Sequence, residues 1–565
     1  MGIGASRRSS CVPPRASATV SGRRRSGRPG GRRAMAGSGQ RAGIFAIRDV
    51  GSLITETHEQ GTELKRAVSA TQLTAMGVGA IIGTGIFVVI GEGSAIAGPA
   101  VILSFVLAAV ACAFSALSYA ELASSIPVSG SAYTYTYATL GELVAWIIGW
   151  DLILEYGVSV AAIAVGWGGN LNAFLDSAFG VALPDAIATS PEDGGVFNLP
   201  AVIVVLAITF LLVRGVTESA RVNLVMVVVK LAVLVFFIVV AFANFGTGNF
   251  TPFAPEGVDG VTAAAAIIFF AYIGFDAVST GSEEARNPAK DLPLAILGSL
   301  AICTVFYVLT VVGAIGIATP EQMSASDAPL AAALDEGAGL NWAAAILALG
   351  AVVAITSVVL VIFYGQTRIF FAMCRDGLMP RRLATVNQRY GTPARLTIIL
   401  GLLISVLAAL VPLGTIVELV NIGTLFAFVL VNVGVIVLRR TRPDMPRPYR
   451  VPWSPVLPII GIIFAVYLMT DLPMDTWIRF IGWLALGMLI YAAYGYRHSR
   501  LRQDSDPVPA GGPSGGSRAA FTRPESRPEE PQPGDARPGD GRPGDVPPGG
   551  TRPGDDGPRR DGDVS

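Results

Sequence analysis

Glycines and ionisable residues stand out in this sequence because they sit where both are expensive. Gly77, Gly79, Gly83 and Gly85 fall inside the apolar run TAMGVGAIIGTGIFVVIGEGSAIAG. Each weakens a helix by roughly 1 kcal/mol relative to Ala. Gly79 and Gly83 form a GxxxG, which packing against a neighbouring helix would explain. Gly77 and Gly85 are superfluous to that explanation, so the run is read as a helix interrupted around Ile81 to Phe87. A later run, TAAAAIIFFAYIGFDAVSTGSEEARNP, carries Gly274 and an intramembrane Asp276 near its middle. A helix unwound in mid-bilayer leaves free N–H groups on one half and free carbonyls on the other. The first attract a carboxylate and the second an ammonium, so a pair of such breaks suits a zwitterionic amino acid.

Charges inside apolar runs are functional candidates by default, because burying an unpaired one costs several kcal/mol. Lys230, one of three lysines, lies in VNLVMVVVKLAVLVFF, about 12 Å into its span at 1.5 Å per residue. It either snorkels to the interface or is desolvated, which makes it a candidate for proton coupling. Asp151 and Glu155 in GWDLILEYG are spaced i,i+4 on one helix face. Glu155, roughly 18 Å from the helix end, is expected beside the substrate gap. It would meet a cationic side chain, exchange a proton, or serve as a hydrogen-bonded structural acid. Asp276 would exchange a proton or cap the second half of its helix. Glu283 and Glu284, followed by Arg286, are read as gate pairs or as solvated loop charge, and Tyr133, Tyr135 and Tyr137 as interfacial.

The elements that must hold these residues follow from charge distribution. Of the 565 residues, 52% are hydrophobic and 15% charged, with mean hydropathy +0.57. The charges crowd into the first 66 residues, the last 70 or so and a few short loops. Twelve apolar stretches lie between: 73–95, 100–123, 143–169, 199–214, 222–243, 262–282, 292–317, 342–365, 394–411, 416–438, 456–470 and 477–495. They are long and lack period-2 alternation, which predicts an all-α membrane protein of twelve transmembrane helices. Loops bearing Arg and Lys, Arg214–Arg221, Arg286–Lys290, Arg368–Arg395 and Arg439–Arg450, alternate with loops at 171–198, 244–261, 318–341 and 471–476 that have neither. Both termini are basic and fall on the same side, expected to be cytoplasmic. Three regions result. Residues 1–66 form a basic, mostly disordered region, 67–496 the membrane domain, and 497–565 a Pro/Gly/Asp/Arg-rich tail that cannot bury a core. Residues 1–40 have no apolar h-region and are not a secretory signal peptide; Met35 is an alternative start.

Other function classes are poorly served. No Walker A, GxSxG or HExxH motif occurs, so neither an enzyme nor an ATP-driven pump is expected. His58 and His498 both lie outside the apolar spans, and Cys11, Cys112, Cys303 and Cys374 show no metal-ligand spacing. No cofactor, metal or nucleic-acid partner is expected. A disulfide-linked heavy chain is not expected either, because every expected external loop lacks cysteine.

Five segments carry a family resemblance. GAIIGTGIF and SYAELASSIPVSGSAYTYTYATLGELVAWIIGWDLILEY resemble the amino acid–polyamine–organocation superfamily. STGSEEARNPAKDLPLAIL, RIFFAMCRDGLMP and NIGTLFAFVLVNVGVIVLRRTRPDMPRPYRVPW are similar to its cationic amino acid transporter branch, in the twelve-helix bacterial form. The likeness covers roughly residues 60 to 495 and leaves out both tails. It implies a leucine-transporter-like five-plus-five inverted repeat with helices 1 and 6 broken. It implies that the substrate carboxylate sits on amides of Gly83, Thr84, Gly85 and Ile86. The amino group would meet carbonyls of Ile81, Phe270, Ala271 and Ile273. It also implies that Lys230 is a tethered ammonium replacing a structural sodium ion between helices 1 and 8, hence sodium-independent transport. The expected function is a plasma-membrane secondary transporter of L-amino acids, proton-coupled or exchanging. A polyamine or amine exchanger and a non-transporting sensor are the rivals, and preference for cationic or neutral side chains is left open.

Overall fold

A computed structural model describes Ile47 and residues 68–500, apart from 129, 216–219, 283, 388, 389 and 391. The basic N-terminal region, the alternative start at Met35, Glu283 and the tail beyond Arg500 lie outside the described residues.

Each of the twelve apolar stretches lies in helical structure. Among the described residues eight helices are long and apolar enough to cross a membrane, and Leu199–Val213, Ala394–Leu410 and Val456–Thr470 are shorter apolar helices. Local chemistry sets their ends. Ser69 and Gln72 form a reciprocal capping box at the start of Ala70–Ile81, satisfying two otherwise orphaned N–H groups. Asn198 caps Leu199–Val213 by accepting from the Ala201 amide at 3.0 Å. The Glu142–Phe179 helix runs ten residues past the expected edge at 169. It stops at Gly180, whose φ of +66° closes the last turn.

The helix Glu142–Phe179 packs along Asn341–Arg375 and against Leu413–Thr441, and Pro288–Ile317 packs on both Ala70–Ile81 and Val101–Ser125. Outward positions such as Val225, Val239, Leu403 and Ile463 are exposed and apolar, as faces covered by lipid would be. No strand occurs among the described residues. Val68 pairs with Ala285 through an isolated bridge, donating to the Glu284 carbonyl at 3.0 Å and accepting from the Arg286 amide at 2.9 Å.

One expectation fails in the segment 124–142. It contains a helix, Ser131–Thr139, and Tyr133, Tyr135 and Tyr137 are buried to 2, 1 and 2% exposure rather than interfacial. Their alternation placed them at a surface only if the segment were peripheral. It is enclosed instead. The Tyr133 hydroxyl donates to Asp376 at 2.7 Å, that of Tyr137 to Glu142 at 3.3 Å, and the Tyr135 ring meets Tyr119 edge-on.

Candidate functional site at two broken helices

The first helix leaves α geometry where its glycines predicted. Ala70–Ile81 ends at Ile82, whose backbone is extended (φ −72°, ψ 105°). A π-helical turn, Gly85–Val89, resumes the chain before Ile90–Ala97. The other break follows the same logic. Gly257–Ile268 tightens into a 3₁₀ turn, Phe269–Tyr272, then opens at Ile273 (φ −62°, ψ 140°) and Gly274 before a second 3₁₀ segment, Phe275–Gly281. Gly274 has φ +117°, a conformation costly to any residue with a Cβ.

The two breaks pack on each other through their glycines. A Cβ on Gly85 would lie 2.2 Å from the Ala271 Cα, and one on Gly274 would lie 2.9 Å from the Ala80 carbonyl carbon. Backbone therefore meets backbone at both contacts.

A small cavity opens between the breaks. Ala80, Ile81, Gly83, Thr84 and Gly85 supply one wall, and Phe270 and Ile273 another. Ser159 and Ile163 face it from Glu142–Phe179, and Val358 and Ile362 from Asn341–Arg375. The lining carries no ionisable side chain. Six of the expected site residues thus meet: Ile81, Gly83, Thr84, Gly85, Phe270 and Ile273.

Other expected residues sit elsewhere. The amide of Ile86 donates to the Gly83 carbonyl at 3.2 Å, inside the resumed helix, and Ile86 does not line the cavity. Ala271 backs the Gly85 contact. The Phe270 carbonyl accepts from the Ile273 amide at 3.2 Å. Glu155 is absent from the wall; Ser159, one turn further along the same helix, takes the expected place. The level of the break relative to this helix is a tertiary fact that i,i+4 spacing could not supply.

Glu155 belongs to a separate buried group with Asp151 and Asp276. Asp276 accepts from the Tyr156 hydroxyl at 3.1 Å and, at a long 3.5 Å, from Ser131. Both carboxyl oxygens of Asp151 and Oε2 of Glu155 are buried without a hydrogen-bond partner. Lys230, fully buried, donates from Nζ to the Gly79 carbonyl at 2.6 Å, which excludes snorkelling. Its ammonium is thereby fixed to the first broken helix two residues before Ile81.

Tyr307, on Pro288–Ile317, was missed in the sequence. Its buried hydroxyl lies 2.9 Å from the Ile81 carbonyl and 3.0 Å from that of Ala271. A hydroxyl has one proton to donate, so one donor serves two carbonyls, one from each broken helix, and a second donor is wanted. Val358 and Ile362 were also missed, since nothing distinguishes them from other members of an apolar run.

Away from the cavity, Glu121 anchors the basic loop after Leu413–Thr441. It accepts from Arg439 Nε at 2.9 Å, from a second Arg439 nitrogen and from the Val451 amide at 2.7 Å, and Arg447 lies 3.6 Å away. Cys112, Cys303 and Cys374 are free and buried, the expected behaviour of small apolar side chains.

Known proteins resemble this chain over most of its length. Residues 68–491 match the family described as amino acid permease. The chain is 49% identical over 466 residues to the branched-chain amino acid permease BcaP of Bacillus subtilis (strain 168), covering 81% of this chain and 99% of the relative. It is 44% identical over 443 residues to the methylthioribose transporter of the same organism, covering 78% and 95%. It is 39% identical over 389 residues to the vacuolar cationic amino acid transporter 4 of Arabidopsis thaliana, covering 68% and 64%. With a matched family across most of its length and two broken helices meeting at a cavity, this chain belongs to the amino acid permease family of the amino acid–polyamine–organocation superfamily.

Proposed function

We propose that this permease carries neutral, aliphatic L-amino acids across the plasma membrane by alternating access. The observation that carries the reading is the cavity wall: Ile81, Ile163, Phe270, Ile273, Val358 and Ile362 face the space between the breaks, and no ionisable side chain does. A cationic side chain would enter such a wall unpaired, at a cost of several kcal/mol. The name of the Bacillus subtilis branched-chain permease supports the same side-chain class.

The substrate backbone is held by the breaks. The amides of Gly83, Thr84 and Gly85 receive the carboxylate at the positive end of the resumed helix. The ammonium, with three donors, completes the carbonyls of Ile81 and Ala271 that share one Tyr307 proton, and Phe270 and Ile273 lie alongside. Lys230 stands where a structural cation would hold the first helix, so transport needs no sodium. Asp276 and Glu155 exchange the coupled protons. In support, both are buried, neither has an ion pair among the described residues, and Glu155 keeps an unpartnered oxygen.

Twelve crossings fit these helices. The 56-residue apolar stretch Ala70–Ser125 would be about 84 Å long as one helix, over twice a roughly 30 Å hydrocarbon core. It divides at Gly98, where φ is +60°. In this reading the three shorter helices supply the remainder, and the breaks fall in the first and sixth crossings of an inverted repeat with both termini cytoplasmic.

The test is a thermal-shift and proteoliposome-uptake panel of the purified chain with valine, isoleucine, lysine, arginine, putrescine and methylthioribose, across pH and with or without sodium. Stabilisation and uptake by valine and isoleucine, indifferent to sodium, are expected. Preference for lysine or putrescine, or a sodium requirement, contradicts the reading; binding without flux would favour a sensor.

A further inference from the structure

Ser159 carries the one polar side chain of the cavity wall that is not spent elsewhere among the described residues. Its hydroxyl is buried, lines the cavity and has no hydrogen-bond partner. Helical Ser and Thr normally return the hydroxyl to a carbonyl three or four residues back. Ser94, Thr356, Ser357 and Ser405 do so here, at 2.6, 2.7, 3.0 and 2.7 Å. Thr84, the other hydroxyl in the wall, donates to the Ile163 carbonyl at 3.4 Å. A buried hydroxyl left unmade is costly, so its persistence at the wall points to a partner that arrives with the substrate.

Position says which part of the substrate that is. Ile163 lies level with Thr84 at the break that holds the carboxylate. Ser159 is one turn before it, about 6 Å along the helix, on the same cavity as Val358 and Ile362. That is the level of a substrate side chain rather than of its α-carboxylate. On the reading proposed above, we infer that Ser159 determines side-chain specificity by hydrogen-bonding a β-hydroxyl on the substrate, so that threonine is carried beside its isostere valine. Threonine satisfies the Ser159 hydroxyl; valine presents a methyl group and leaves it unpaired. An apolar pocket rejects an added hydroxyl only modestly, by roughly 100-fold, and one well-placed partner offsets much of that.

The test compares saturable uptake of L-valine and L-threonine into proteoliposomes by the wild-type chain, Ser159→Ala and Ser159→Thr. Ser159→Ala should raise the ratio of threonine KM to valine KM roughly 3- to 10-fold. Ser159→Thr, which keeps a hydroxyl, should retain the wild-type threonine-to-valine ratio. Equal changes for both substrates in Ser159→Ala would assign Ser159 to the substrate backbone or to packing and overturn the inference. Valine uptake by the wild type without threonine uptake would also overturn it, leaving the aliphatic-transporter reading intact. Failure of the wild type to take up either would overturn both.

Discussion

Gly85 lies so close to Ala271 that a Cβ on the glycine would stand 2.2 Å from the Ala271 Cα, backbone against backbone. The glycine is needed for contact between the two breaks, beyond loosening its own helix. Gly83 differs, since a Cβ there would meet the Val358 Cγ2 at 3.0 Å, a side chain able to yield by a few tenths of an ångström.

Gly85→Ala should therefore force the breaks apart and abolish amino acid binding, with overpacking of about 1–3 kcal/mol. Gly83→Ala should keep binding at reduced affinity. Ligand-induced thermal shifts of the two variants check this, and equal effects would remove the special role of the Gly85 contact.

Tyr307→Phe deletes the proton shared by the Ile81 and Ala271 carbonyls. The empty protein should lose about 1–2 kcal/mol, seen as a lower Tm. Saturating substrate should recover part of that loss, because its ammonium can serve both carbonyls. A deficit unchanged by substrate would mean that the ammonium binds elsewhere.

Lys230→Met removes the donor to the Gly79 carbonyl. Loss of uptake and of about 1–3 kcal/mol of stability are expected, and sodium should restore neither. Uptake assays in sodium and in choline buffers read the outcome directly.

Glu121→Gln should destabilise the protein without changing its substrate range. A broken buried ion pair costs about 3–5 kcal/mol; the low end is expected, because the Arg439 side chain is 26% exposed. Tm should fall while the valine KM of the folded fraction is retained.

What was legible in the sequence depended on residues being unusual for their place. Glycines dense enough to break a helix located Gly83–Gly85 and Gly274, and Lys230 announced itself as a lysine inside an apolar run. Long uncharged stretches located the helices. Tyr307, Val358 and Ile362 were invisible because each is ordinary in an apolar helix, and only packing brings it to the breaks. Glu155 was placed one turn too far toward the cavity, where Ser159 stands, for the reason that relative helix height is set by tertiary contacts. Tyr133, Tyr135 and Tyr137 were assigned to an interface because aromatic residues beside a proline suggest one; burial by surrounding helices decided otherwise.

In the proposed site the two breaks grip a zwitterion from both ends. Competition against radiolabelled L-valine uptake tests it most directly, using valine methyl ester, which lacks the carboxylate, and isovalerate, which lacks the ammonium. A two-ended grip predicts that isoleucine competes strongly and that neither truncated analogue competes. Competition by the ester or by isovalerate as strong as that of valine itself would contradict it.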